Sequence, residues 1–407
     1  MFTLRKYQKD AVDAVISDMR NDGNSLVVLP TGAGKSIVIA EIANRINKPV
    51  LILSPSREIL TQNRSKLLQY VPKHEVGIYS ASFGLKQIRK YTFATIQSVH
   101  RKPELFQDFG LVLCDESHQV AVENPKTMFT KFFKALGKVK VIGFTASPFR
   151  NVTRYRHTKN GFGQKVLIAE THTQLINRIY PKFWGKIIYH INNAELIEQG
   201  FLSPLKYYDL SFYKQEDLKL NASRSEFDLE HFAKRLSVNQ QKIMDYIVRC
   251  AKYYKSVLVF CSTVEEAYRL ASSGLTNARY VDGTTKTEVR EQILSDFKSG
   301  KTKVVFNVSV LGTGFDHPEL DCIIILRPTK SLSLWYQFLG RGVRIAPGKT
   351  SCAVVDFTAT YKSLGKIETI RIFKEKKLLD EFPQWYLETE TGEFHNHLVS
   401  SYEKKAN

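Results

Sequence analysis

Cysteine is scarce in this 407-residue chain: Cys114, Cys250, Cys261, Cys322 and Cys352, none within three residues of another. That spacing supplies neither a disulfide framework nor a paired metal-ligand motif. Four of the five lie in strand-like apolar runs and Cys250 in a helical one, where a thiol serves as a small buried hydrophobe, so a reducing compartment is expected. No apolar run approaches the roughly 18 residues that span a bilayer. A basic amphipathic helix and a lipidation signal are also missing. The N-terminus, Met1-Phe2-Thr3-Leu4-Arg5, passes at once into patterned sequence and leaves no room for a secretory signal, so the cytoplasm is the expected location. There is no low-complexity tract and no internal repeat. His395-Asn396-His397 lacks flanking metal-ligand spacing, and no nuclease is read from it.

Acidic residues are in short supply too, 40 against 59 Lys and Arg, which leaves a net charge of +19. A field of that size attracts polyanions and speeds their encounter. With no membrane element in the chain, nucleic acid is the expected partner. The length implies two to three domains, and 43% apolar residues suffice for packed cores. Strand-like runs at 50–53, 139–144, 257–261, 303–307, 322–326 and 352–357 look buried on both faces and alternate with helical stretches, which predicts doubly wound parallel α/β units.

Two remote segments carry the chemistry. Pro30-Thr31-Gly32-Ala33-Gly34-Lys35-Ser36 follows the run Leu26-Val27-Val28-Leu29 and precedes a helical pattern. Gly32 and Gly34 let the backbone curl so that its N–H groups face phosphate oxygens, and the helix N-terminus adds partial positive charge. Lys35 would reach the β- and γ-phosphates and the Ser36 hydroxyl a Mg²⁺ ion. The general phosphate-loop pattern wants glycine where Leu29 stands, and a structural glycine-rich turn is the alternative. A second run, Leu111-Val112-Leu113-Cys114, delivers Asp115-Glu116-Ser117-His118 at the carboxyl end of a strand, where ligands bind in parallel sheets. Asp115 there can orient the metal and Glu116 can deprotonate the attacking water, although an acidic dipeptide in that place also serves as a helix cap. In the distant segment Gln337-Phe338-Leu339-Gly340-Arg341-Gly342-Val343-Arg344, two arginines could complete hydrolysis from a different domain.

These strings resemble the motifs of superfamily 2 helicases of the DExH type, whose phosphate loop often lacks the leading glycine. Leu4-Arg5-Lys6-Tyr7-Gln8 resembles the adenine-reading Q element. Ser54-Pro55-Ser56-Arg57-Glu58-Ile59-Leu60 resembles motif Ia, Thr95-Ile96-Gln97-Ser98 motif Ib, and Thr145-Ala146-Ser147-Pro148 motif III. Val259-Phe260-Cys261-Ser262-Thr263 is similar to motif IV, the run from Asn307 to Asp316 to motif V, and Gln337 to Arg344 to motif VI. The order holds over about 340 residues, with Ser147 and Ser117 as small departures from the usual spelling. The resemblance implies two tandem RecA-like lobes with ATP in the cleft between them. Arg5, Tyr7, Gln8, Thr31, Gly32, Ala33, Gly34, Lys35 and Ser36 would hold the nucleotide from one side, and Gly314 and Asp316 from the other. Asp115, Glu116, Lys35, Gln337, Arg341 and Arg344 would be catalytic, with Mg²⁺ on Ser36 and Asp115. His118, Thr145 and Ser147 would couple the site to the nucleic acid, itself gripped by Ser56, Arg57, Thr95, Gln97, Ser262, Thr263 and Ser309.

Between the halves, residues 150–190 interleave basic side chains, among them Arg154, Arg156 and Lys159, with Tyr155, Phe162, Tyr180, Phe183 and Trp184. Positive groups of this kind can follow a phosphate backbone while aromatic faces stack on bases; a solvated connector with its aromatics packed on the first lobe has the same composition. The junction Glu195 to Leu205 resembles that of RadD-like and phage UvsW-type branch-migration helicases, which implies forked or branched DNA and a bacterial or phage-infected cell. An RNA helicase and a motor subunit serving a nuclease stay open as alternatives, and a monomer is expected. The expected division is a first lobe over 1–203 including the 150–190 segment, a second over 204–360, and an extension over 361–407 with Trp385 and Tyr386 beside a candidate docking helix.

Overall fold

The computed structural model describes residues 2–159, 161–312, 314–375, 384–390, 392–394 and 397–404, with Gln384 and the last two stretches described by backbone alone. His395 and Asn396 of the tripeptide lie outside the described residues. Two compact units separate: Met1–Phe149 with Leu175–Asn192, and Arg150–Gln174 with Asn193–Asn407.

In the first unit the strands are β1 (Asn24–Val28), β2 (Val50–Leu53), β3 (Val76–Ser80), β4 (Leu85–Lys86), β5 (Tyr91–Ala94), β6 (Leu111–Asp115) and β7 (Lys140–Thr145). Strands β8 (Phe149–Lys159) and β9 (Lys165–Leu175) follow, and then β10 (Trp184–His190) returns to the first sheet, whose order is β10-β1-β7-β6-β2-β5-β3-β4. Every neighbour pair is parallel except β3 with the short β4. Val50-Leu51-Ile52-Leu53 is buried throughout, as strands covered on both faces must be. The helices of this unit are α1 (Lys6–Asp18), ahead of β1, and α2 (Lys35–Arg45), α3 (Arg57–Leu67), α4 (Ile96–Val99) and α5 (Met128–Leu136) between strands.

The second unit holds a fully parallel sheet of β11 (Leu205–Asp209), β12 (Val257–Phe260), β13 (Ala278–Val281), β14 (Val304–Asn307), β15 (Cys322–Ile325) and β16 (Cys352–Asp356), in the order β11-β16-β15-β12-β14-β13. Its helices are α6 (Asn193–Glu198), α7 (Leu229–Ser237), α8 (Gln240–Tyr253), α9 (Val264–Ala271), α10 (Thr287–Lys298), α11 (Leu332–Leu339) and α12 (Thr360–Leu364). Phe232, Ile247, Val257, Phe306 and Ile324 meet in one core. The parallel α/β architecture expected for both halves is therefore present.

Two features differ from the sequence reading. Trp385 and Tyr386 lie in a strand, not beside a helix: β17 (Arg371–Glu375), β18 (Gln384–Thr389) and β19 (Gly392–Phe394) form an antiparallel sheet in which Phe373 is paired with Tyr386, their rings stacked 5.7 Å apart. Strand β20 (His397–Lys404) pairs antiparallel with β9, so residues 150–174 group with the second unit and not with the first lobe. Asn193 also belongs there, since its amide donates to Tyr336 Oη at 2.6 Å.

Candidate nucleotide site and nucleic-acid interface

The phosphate loop runs from the end of β1 to the start of α2, and its first residue is fixed by Leu29 N donating to Thr145 O on β7 at 3.0 Å. Gly32 and Gly34 have φ of 91° and 82°, values that L side chains rarely adopt. At Gly34 a Cβ would also lie 2.5 Å from Gln8 Nε2. The Q-like element buttresses this loop. Gln8 Nε2 and Tyr7 Oη both donate to Ala33 O at 2.9 Å, Gln8 Oε1 accepts from Arg5 N at 3.0 Å, and Arg5 Nη1 donates to Tyr7 Oη at 3.2 Å. Gln8 thus contacts the loop itself. A glycine cradle closed from below and opening onto a helix N-terminus fits a nucleotide phosphate.

Asp115 ends β6 and is buried. Its Oδ2 accepts from Asn63 Nδ2 and its Oδ1 from Glu116 N, each at 2.9 Å. Burial, then the neighbouring Glu116 charge, push its carboxyl above the usual range, while the Lys35 ammonium pulls it down. A divalent cation would supply the missing positive charge, so Asp115 with Ser36 at the first turn of α2 fits Mg²⁺. Glu116 itself sits at φ 48°, ψ 47°, the left-handed region that costs a non-glycine residue roughly 1–2 kcal/mol. His118 Nδ1 reaches Thr145 Oγ1 at 3.0 Å and lies 3.5 Å from both Ser147 Oγ and Glu116 Oε2. The structure therefore brings Glu116, His118, Thr145 and Ser147 together. Asn63 was missed by sequence reasoning; the signal was a short amide inside a helical pattern, where it is unfavourable without a partner.

Elsewhere in this unit Ser56 caps α3 by accepting from Ile59 N at 3.3 Å, and Arg57 donates to Ser82 O at 2.9 Å with its guanidinium over the Phe83 ring. Thr95 Oγ1 is 3.0 Å from Ser98 Oγ, while Gln97 is exposed. The Arg57 contacts tie the start of α3 to the loop at 80–84, and Ala81 N, donating to Ser98 Oγ at 3.0 Å, ties α4 to the same loop.

In the second unit Ser262 is buried, its N donating to Glu266 Oε2 and its Oγ to Leu326 O, both at 2.8 Å, and Thr263 caps α9. Asn307 Oδ1 accepts from Val310 N at 3.1 Å and Leu311 N at 2.8 Å, which folds the motif V loop and leaves Ser309 exposed. Gly314 has φ 76°. Arg341 is only 8% exposed and braces the same loop, with Nη1 donating to Phe315 O at 2.8 Å and Nη2 to Gly312 O at 2.7 Å. Arg344 is less committed, its Nε 3.5 Å from Asp316 Oδ1. Gln337, on α11, lies within 4.0 Å of the position a Cβ on Gly312 would take.

The structure does not offer Phe183 and Trp184 as stacking faces for bases. Trp184 begins the edge strand β10 with its side chain turned inward, 1% exposed, and Phe183 lies 4.8 Å from the rings of both Phe133 and Trp184. The exposed aromatics of the segment are Tyr155 (55%), Phe162 (92%) and Tyr180 (71%), the first two on the β8–β9 hairpin that also carries Arg154, Arg156 and Lys159. Arg154 Nη2 donates to Gln174 Oε1 at 3.0 Å, and Arg156 Nε to Glu170 Oε1 at 2.7 Å.

Residues 1–150 match the family described as type III restriction enzyme, res subunit, and residues 239–346 the helicase conserved C-terminal domain. The chain is 26% identical over 378 residues to IRC3 of Saccharomyces cerevisiae, which carries the name of an ATP-dependent helicase, covering 87% of this chain and 51% of that protein. It is 26% identical over 358 residues to the DNA 3'-5' translocase XPB2 of Sulfurisphaera tokodaii, covering 84% and 78%. It thus spans about half the length of IRC3. Among solved structures, the ATP-dependent type ISP restriction-modification enzyme LlaBIII bound to DNA superposes with a TM-score of 0.62 at 18% identity, over 88% of this chain and 28% of that one, a likeness of fold. Among the described residues no helix is long and apolar enough to cross a membrane. One family match thus falls on each parallel sheet, in the chain order of the motifs, and the chain is similar in sequence to superfamily 2 helicases over both units.

Proposed function

We propose that this chain is an ATP-dependent DNA helicase or translocase of the DExH type, akin to RadD-like and UvsW-type enzymes, that couples hydrolysis to movement on forked or branched DNA. The observation that carries the reading is the unbroken set of contacts in the first unit, from Gln8 on the phosphate loop, through Leu29 to Thr145, and from Thr145 through His118 to Glu116. A nucleotide-sensing loop and an acid–base pair tied to a shared strand end are what a motor requires of one lobe.

In this reading the ATP phosphates rest against residues 31–36, with Lys35 on the β- and γ-phosphates and Gln8 near adenine. Mg²⁺, held by Ser36 and Asp115, would neutralise charge on the phosphate oxygens. Glu116 takes the proton of the attacking water. Gly314 and Asp316 serve ribose and phosphate, and Arg344, with Arg341 behind it, serves the γ-phosphate. DNA is favoured by the charge of +19 and by the name of the XPB2 relative. A second reading, a motor subunit working for a nuclease, is favoured by the match to the restriction res subunit. The experiment that tests the proposal compares ATPase rates with single-stranded DNA, duplex DNA, a model fork and RNA. Stimulation by the fork at least equal to that by single strands supports it, and stimulation by RNA alone overturns it.

A further inference from the structure

We infer that Arg327, to which no motif assigns a role, is a phosphate ligand for the nucleic-acid strand and acts together with Ser309 at the C-terminal edge of the second sheet. The inference rests on the helicase reading and adds a residue to its strand-binding surface.

Strands β15, β12 and β14 are neighbours. Their ends release Arg327, the pair Ser262-Thr263, and the loop that holds Ser309. The C-terminal edge of a parallel sheet is where such loops gather polar groups around ligands. Ser309 has φ 59°, a strained conformation for serine, and it is held there by the two amides that Asn307 Oδ1 captures. Arg327 Nη1 reaches across the end of β12 to donate to Ser309 Oγ.

That single bond leaves most of the guanidinium unspent. Arg327 Nε is buried without a hydrogen-bond partner, and among the described residues no carboxylate lies within 4.0 Å of the group. Glu226 is the acid that acts on it from a distance, but its oxygens are taken by Thr329 Oγ1 at 2.7 Å and Lys330 N at 3.0 Å. Burial holds the Arg327 guanidinium below its ordinary range, with Glu226 pulling the other way. A half-desolvated cation without a bound anion is costly, and a phosphate matches the guanidinium fork in both charge and geometry. The amino end of α9, beginning at Val264, adds partial positive charge at the same edge.

A brace for the motif V loop would use the same Ser309 bond, so the test must read phosphate and not stability. The full chain and Arg327→Gln are titrated with a fluorescent single-stranded oligodeoxynucleotide over a salt series. The variant should bind about tenfold more weakly at low salt, and its log–log salt slope should be shallower by about 0.7. Oligonucleotides carrying one neutral methylphosphonate at successive positions then locate the contact: one position should weaken the wild type about tenfold and leave the variant unaffected. Additive losses at every position overturn the inference, as does a variant that loses nucleotide affinity while keeping the oligonucleotide slope. If Arg327→Gln does not fold, Arg327→Lys serves in the same cycle and should retain part of the coupling at that position. A wild-type chain that binds no oligonucleotide sinks the helicase reading itself, a result distinct from binding that Arg327→Gln leaves intact.

Discussion

His118 Nδ1 lies 3.0 Å from Thr145 Oγ1, so the residue that ends the acidic string touches the strand end that also accepts from the first amide of the phosphate loop. The same nitrogen is 3.5 Å from Glu116 Oε2. One imidazole therefore senses both the proposed base and the following motif. Replacing His118 with alanine should lower DNA-stimulated ATPase and unwinding about tenfold, and Thr145→Val should do the same. The double variant should be no worse than either single one, because residues in one contact lose the same coupling only once. Multiplicative losses in kcat would show that the contact transmits nothing.

Hydrolysis separates two residues of the same site. Lys35→Ala should weaken nucleotide binding, since it removes the cation proposed to hold the phosphates. Glu116→Gln keeps the shape and left-handed backbone of the native residue while removing the proposed base, so it should bind nucleotide and stall turnover by about 10²-fold or more. Nucleotide affinity by fluorescence and single-turnover rates distinguish the two. A Glu116→Gln enzyme that hydrolyses ATP at the wild-type rate has its base elsewhere.

The two arginines of the distant motif should respond differently. Arg341 is buried and donates to two loop carbonyls, so Arg341→Ala leaves acceptors unpaired and should cost about 1–3 kcal/mol of stability. Arg344, with one long ion pair, should show little change in Tm on conversion to alanine while losing stimulated ATPase by about 10³-fold, the range of a γ-phosphate finger. Thermal melts and ATPase assays on both variants decide it. A large Tm loss at Arg344 with activity retained would assign it to the frame of the second unit.

The phosphate loop was legible in the sequence because its geometry demands particular residues, and glycines at 32 and 34 between a strand run and a helix leave few readings. Strands such as Val50–Leu53 were legible because burial on both faces makes them continuously apolar. Asn63 was not, since its partner Asp115 is 52 residues away and nothing local marks the contact. Trp184 was misread for a related reason: an aromatic within a basic stretch has the same sequence whether it faces base or core, and only its place at the sheet edge decides. Tyr386 is paired with Phe373 across an antiparallel ladder, a relation that a helix-period reading cannot contain.

Acid stability should depend on Asp18. Its carboxylate, buried at the end of α1, is 2.7 Å from Lys140 Nζ, 2.6 Å from Lys186 Nζ and 2.6 Å from Ser25 Oγ, which joins the helix to β7, β10 and β1. Burial alone would raise its pKa, but these donors outweigh that and bring it down to about 2. A carboxylate with a depressed folded-state pKa stabilises the fold above its unfolded value near 4, and the contribution fades as pH falls toward 2. Asp18→Asn should therefore be less stable than wild type by about 1–2 kcal/mol at pH 7, allowing for solvent screening of the lysines. That gap should narrow at pH 3 in urea titrations; an unchanged gap would mean that packing, not charge, holds the site.

The β8–β9 hairpin should act at the fork. A motor that moves along one strand needs an element to hold the other away, and this hairpin exposes Tyr155 and Phe162 among Arg154, Arg156 and Lys159. Aromatic stacking on a base contributes about 1–3 kcal/mol, enough to steady an opened pair. Replacing Tyr155 and Phe162 with alanine should impair fork unwinding about tenfold while single-stranded DNA still drives ATPase. Converting Arg154, Arg156 and Lys159 to glutamine should make the salt dependence of fork binding shallower by up to about 2 in log–log slope. Trp184→Ala, by contrast, should act as a core deletion and lower stability by about 3–5 kcal/mol, with no selective effect on forks. Normal fork unwinding and an unchanged salt slope in both hairpin variants would leave the hairpin as a connector, and the strand-separating element would then have to be sought in residues 361–407.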